Sequence, residues 1–145
     1  MFDKNLLGNN ISDIDKNLLA QTIRKIDLFF AKFGVNIDYD NSRELFRNLK
    51  VEDVEGKQDY IVSYNEVNNT IKQNLENPDF SPKRYEAELI ESLLSVLSRK
   101  YNFEESRYDE GLLNRDTNLE SHGNSLNEML RSYIGTLITG YNKET

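Results

Sequence analysis

The sequence predicts a helix-rich α+β domain with a small antiparallel sheet. Three observations lead there. Apolar residues recur at helical spacing in three long segments, each opened by a serine able to cap a helix. Two short runs in the middle of the chain, "DYIVSY" and "NTIKQN", have the apolar, polar and β-branched mix of strands. The residues between them, "NEVN", make a connection of hairpin length.

The first helix is written in "SDIDKNLLAQTIRKIDLFFAKFG". Ser12 followed by Asp15 is a variant of the capping box, Leu19, Ile23, Ile26, Phe30 and Phe33 form the apolar stripe, and Gly34 closes the end. In "VNIDY" the alternation of Val35, Ile37 and Tyr39 predicts a short strand with three side chains on one face. A short helix follows in "NSRELFRNLK", capped by Asn41 or Ser42, with Leu45, Phe46 and Leu49 buried. The polar "VEDVEGKQ" reads as a connection into the hairpin, where Tyr60, Val62 and Tyr64 share a face.

Ser81 then suits an N-cap and Pro82 the first helical position, which predicts a central helix from Ser81 to about Tyr101. Its stripe is Leu89, Leu93, Val96 and Leu97, flanked by Ile90 and Leu94, while Glu86 and Glu88 lie near the positive end of its dipole. From Asn102 to Asn124 the chain is polar and irregular, longer than the usual connection. The last helix is expected from Ser125 to about Thr139, with Ser125 and Glu128 as a capping box and Gly140 as its stop. Leu126, Met129, Leu130, Tyr133, Leu137 and Ile138 form its apolar face, packed on Leu89, Leu93 and Leu97.

Composition narrows the function. A chain of 145 residues is expected to be a single domain, 1–145, and a domain of that size buries roughly 70% of its unfolded surface, so a true core forms without staples. Cysteine is absent, which excludes disulfides, thiolate metal sites and cysteine nucleophiles. The net charge of −7 repels phosphate backbones and anionic lipid, so neither nucleic acid nor membrane is an expected partner. With no secretory signal and no spanning segment in the sequence, the expected location is cytoplasmic. Glycines are scattered rather than gathered into a phosphate-binding loop, and there is no internal repeat.

The element order, with "YNEVNNTI" in the hairpin, "AELIE" in the following helix and "LNE" opening the last one, resembles the zincin-like metallopeptidases of Gram-positive bacteria and their mobile elements. Those proteins read approximately Y-N-x-x-x-N-T-I, then H-E-L-I-H, then L-N-E-G-x-T-E. The resemblance covers roughly the second half of the chain, with an echo in the first helix.

In that family two histidines one helical turn apart bind zinc, the glutamate between them deprotonates the metal-bound water, and a later glutamate is the third ligand. Carried over by position, Ala87 and Glu91 stand at the histidine places, Glu88 at the general-base place and Glu128 at the third-ligand place. Alanine offers no donor, and Glu91 with Glu128 leaves an oxygen-only pair, unlike catalytic zinc sites built on imidazole. Met129-Leu130-Arg131-Ser132 also departs from the G-x-T-E that should follow. The resemblance therefore implies a zincin-like scaffold with a vestigial base, Glu88, vestigial ligand positions, Ala87, Glu91 and Glu128, and no metal or other cofactor.

Read without the resemblance, Glu88 and Glu91 are solvated carboxylates near the start of an amphipathic helix, and Glu128 bonds back to the Ser125 N–H as part of its capping box. His122, the only histidine, reads as an exposed residue before the last helix, with no nucleophile elbow to make a triad. The expectation is a non-catalytic regulatory or interaction domain with a protein partner. Two alternatives stand beside it: a metallopeptidase whose rearranged site uses Glu88, Glu91, Glu128 and His122, and a helical binding module unrelated to zincins.

Overall fold

The computed structural model describes residues 2–56, 58–102, 107–109 and 120–141. Helix α1, Asp13–Ala31, opens as its sequence predicts: the Ser12 hydroxyl accepts the Asp15 N–H at 3.2 Å. It closes in a Schellman arrangement, in which Gly34 at φ +73° lets its own N–H reach the Ala31 carbonyl (3.0 Å) and the Val35 N–H reach that of Phe30 (3.1 Å). Leu19, Ala20, Ile23 and Ile26 are buried. Phe33, expected in the core, lies beyond the last helical turn and is 69% exposed, with its ring against Phe29.

Residues 35–39 form no strand, because the sheet offers them no partner among the described residues. The alternation still has a physical meaning: Ile37 and Tyr39 pack on the core while Val35 does not. The Tyr39 hydroxyl donates to Asp27, and Asp38 accepts the Asp40 N–H at 2.9 Å to start a 3-10 turn, Asp40–Ser42. Helix α2, Arg43–Asn48, buries Leu45 and Phe46, with Leu49 buried just after it; Ser42 precedes it without making a side-chain capping bond. Phe2 packs on the rings of Tyr39 and Phe46, so the N-terminal segment belongs to the core.

The sheet contains strand β1, Lys50–Asp53, β2, Val62–Asn65, and β3, Thr70–Gln73, in the order β1-β3-β2. β2 and β3 are the expected antiparallel hairpin, with Val62 opposite Gln73 and Tyr64 opposite Ile71. β1 is an addition: it runs parallel to β3, Val51 opposite Ile71, which makes the sheet mixed rather than antiparallel. As a polar edge strand directing only Val51 toward the core, it lacks the apolar alternation that marks a strand in sequence.

Helix α3, Pro82–Leu97, starts with the Ser81 hydroxyl accepting the Arg84 N–H at 3.2 Å and buries Leu89, Ile90, Leu93, Leu94 and Val96 at the centre of the molecule. It ends short of Tyr101, and Lys100–Asn102 (β4) pairs antiparallel with Arg107–Asp109 (β5). Helix α4, Glu120–Thr139, begins before the expected Ser125, so Ser125 and Glu128 stand within the helix rather than at its cap, and His122 is helical. The serine–glutamate spacing allows a cap but does not require the helix to start there.

The inward face of α4 also differs from the expected one. Ile134 is buried and Leu130 and Ile138 partly so, whereas Tyr133 and Leu137 are 60% and 50% exposed. The cause is a close approach to α3: a β-carbon at Gly135 would sit 3.0 Å from the Ala87 carbonyl oxygen. A glycine, Gly135, therefore faces α3, and the apolar stripe is turned partly away. No helix among the described residues is long and apolar enough to cross a membrane.

Candidate functional site

A cleft of about 300 Å³ lies between β2, α3 and α4. Ser63 and Tyr64 line one wall, Glu91, Ser92 and Ser95 another, and Arg131 reaches it from α4. Its described charged lining comprises Asp59, Glu66, Glu88 and Glu91 against Arg84 and Arg131, an acidic balance.

Glu88 is buried, at 6% exposure, and is not the solvated carboxylate that its place near the helix start suggested. One oxygen accepts the backbone N–H groups of Ile61 (2.9 Å) and Val62 (3.3 Å), and the other accepts Arg84 Nε at 2.6 Å. Arg84, one turn earlier on the same face, also donates to the Asp59 carbonyl at 3.0 Å. The hydrogen bond that Arg84 donates to Glu88, strengthened by the carboxylate charge and opposed by burial, holds the guanidinium pKa above its ordinary value. Both oxygens of the residue at the general-base position thus carry structural bonds. The reason is local: the chain entering β2 turns two N–H groups toward α3, and a buried donor requires an acceptor.

Ala87 is buried at the α3–α4 crossing, where it meets Gly135. Glu91, one turn along the same face, is half-buried and lines the cleft with Arg131. On α4, Glu128 lies seven residues before Gly135, about 10 Å along the helix axis at 1.5 Å per residue. The side chains of Glu128 and His122 fall outside the described residues. Among the described residues, no three of His, Cys, Asp and Glu gather where they could hold a metal.

The hairpin motif "YNEVNNTI" resolves into turn chemistry. Asn65 accepts the Val67 N–H (3.0 Å), and Asn69 adopts φ +51°, the left-handed region that asparagine tolerates. Asn69 accepts the Tyr64 hydroxyl proton (2.6 Å) and donates to the Leu45 carbonyl (2.8 Å), Arg99 donates to the Tyr64 oxygen (2.7 Å), and Ile71 fills the core. Asn74 donates to the Gly56 carbonyl (2.8 Å), and Asn77 to those of Gln58 (3.0 Å) and Tyr60 (3.3 Å), fixing the segment that leads into the cleft. Sequence reading did not single out Arg84, Arg131, Asn74 or Asn77 for these places. Two signals pointed that way: Arg84 and Glu88 have i,i+4 spacing, and Arg131 is the sole charge between Glu128 and Lys143.

No protein-family model matches the chain, and no curated protein or solved structure matches it. Fold and site together define a helix-rich α+β domain with an acidic cleft built around a structural Arg–Glu pair.

Proposed function

We propose that the chain is a non-catalytic zincin-like scaffold, a cytoplasmic interaction domain whose cleft receives a basic segment of a partner protein. The observation that carries this reading is the commitment of Glu88. A carboxylate whose two oxygens already accept two backbone N–H groups and a guanidinium is held in a structural role and is poorly placed to take a proton from a metal-bound water. The burial of Ala87 at the crossing with α4 supports the same reading, since a side chain as large as an imidazole would have to displace its neighbours there. The acidic balance of the cleft, in a chain of net charge −7, favours a partner bearing Lys or Arg.

Amide NMR with a peptide of alternating lysine and valine tests it, with an alternating glutamate and valine peptide as control. The lysine peptide should shift resonances from Asp59 to Glu66 and from Glu91 to Ser95, and the effect should weaken as salt rises. Absence of shifts, or equal shifts with the glutamate peptide, would refute the reading.

A further inference from the structure

Two serines of α3 form the floor of the cleft. Ser92 and Ser95 both line it, yet they are only 4% and 8% exposed. Each hydroxyl donates its single proton one turn back along the helix, Ser92 to the Glu88 carbonyl at 2.9 Å and Ser95 to that of Glu91 at 3.2 Å. A hydroxyl whose proton is committed can only accept. Neither oxygen accepts a hydrogen bond from a described residue. The two serines stand three residues apart on one helix face, about 5–6 Å between β-carbons, so a single group can reach both. The charges above them have the same sense: Glu88 and Arg84 neutralise each other as an ion pair, which leaves Asp59, Glu66 and Glu91 against Arg131 among the described lining.

We infer that the cleft seats a primary ammonium, the head of a lysine side chain of the partner, on the Ser92 and Ser95 oxygens. This rests on the reading of the cleft as the site of a basic segment and names the side chain that enters it. An ammonium carries three donors and no acceptor, which matches a floor that only accepts, whereas an anion or a carbonyl would set lone pairs against lone pairs. Guanidinium is the poorer match. Its planar fork suits the two oxygens of one carboxylate approached side by side, but hydroxyl oxygens a helical turn apart need donors that diverge, as those of a tetrahedral ammonium do. Glu91, on the same wall, supplies the opposite charge that a desolvated ammonium requires. A cleft of about 300 Å³ accommodates one such side chain, its methylenes lying along Tyr60 and Tyr64.

Calorimetric titration with alternating lysine–valine and arginine–valine peptides tests it, on the intact chain and on the double variant Ser92→Ala with Ser95→Ala. The parent should bind the lysine peptide about threefold or more tighter than the arginine peptide, and the double variant should bind the lysine peptide about tenfold more weakly and lose the preference. Both hydroxyls bond only within α3, and alanine favours a helix at least as well as serine, so circular dichroism and melting should show a folded variant. In the parent, the Ser92 and Ser95 amide resonances should shift more with the lysine peptide than with the arginine peptide. Equal affinity for the two peptides, or a double variant that binds the lysine peptide as the parent does, would overturn this inference and leave the cleft as the site of a basic segment; binding of neither peptide would overturn both. Pentane-1,5-diamine separates a lysine in a chain from a free amine. Binding as tight as that of the lysine peptide, with the same dependence on the serines, would uphold the ammonium seat and overturn a protein as its source.

Discussion

Replacing Glu88 by alanine removes one acceptor from three donors at once. The Ile61 and Val62 N–H groups lose their partner, and Arg84, whose side chain is only 21% exposed, keeps a charge with no carboxylate beside it. An unsatisfied buried donor costs about 1–3 kcal/mol, and removing one member of a buried ion pair about 3–5 kcal/mol. These overlap, and the cleft admits water to the vacated space, so the expected loss is about 3–5 kcal/mol in total rather than their sum. Glu88→Gln keeps an oxygen for the two N–H groups while giving up the charge, so it should lose less than alanine. Urea melts followed by circular dichroism measure both, and a cycle with Arg84→Ala isolates the pair, with an expected coupling of about 1.5–3 kcal/mol. Hydrogen exchange adds a local readout, because the Ile61 and Val62 amides should lose protection in Glu88→Ala before the core amides of α3 do. A loss below about 1 kcal/mol for alanine, or strict additivity with Arg84→Ala, would show that Glu88 does not hold the hairpin to α3.

Leu93, fully buried in α3, should cost about 2–5 kcal/mol when cut to alanine, and a loss below about 1 kcal/mol in the same melts would contradict its place in the core. Ala87→His combined with Glu91→His should gain no tight zinc site in calorimetry and should destabilise the protein by about 1–3 kcal/mol through overpacking at the α3–α4 crossing. Stoichiometric zinc retention by that variant would show that the α3–α4 crossing has room for two imidazoles in metal-binding geometry, against the overpacking argument. Burial, aided by the charges of Asp15 and Asp53, pushes the Tyr85 hydroxyl up to about 12, and burial with the bond to Asp27 raises Tyr39 as well. Both values lie above the ordinary 10.0, so the stability held by the neutral phenols is complete below about pH 10 and is lost as pH rises through the folded values. Tyr85→Phe should flatten that loss between about pH 10 and 12, followed by melts and by tyrosinate absorbance; an unchanged profile would place the cause elsewhere.

What the sequence made legible was local. Ser12 and Ser81 cap their helices because a hydroxyl needs only the N–H three residues on, and Gly34 stops α1 through its own φ. The hairpin was legible for the same reason, since its turn residues lie next to its strands. β1 was not, because a polar edge strand is defined by a partner about twenty residues further along rather than by its own pattern. The orientation of α4 was hidden too: Tyr133 and Leu137 fit an inward stripe as well as Ile134 does, and the contact between Gly135 and Ala87 that decides the matter lies between distant helices. At the site, sequence drew attention to Glu88 but could not show whether it faced water or the N–H groups of Ile61 and Val62.

The asparagines of the hairpin and of the segment after it set a limit on how the molecule ages. Asn69, Asn74 and Asn77 each point an amide nitrogen at main-chain carbonyl oxygens, four in all. Hydrolysis of such an amide changes almost nothing in size but replaces two donors by an acceptor-only carboxylate, so each attraction becomes a repulsion between oxygens. The same exchange made by mutation, Asn to Asp, is the mildest substitution by volume and among the most damaging there by polarity. Asn74 is fully buried and Asn77 nearly so, and they precede Leu75 and Pro78 rather than a glycine that would ease attack by the following nitrogen. The loop thus depends on a vulnerable chemical group in places where water and backbone can do it least harm.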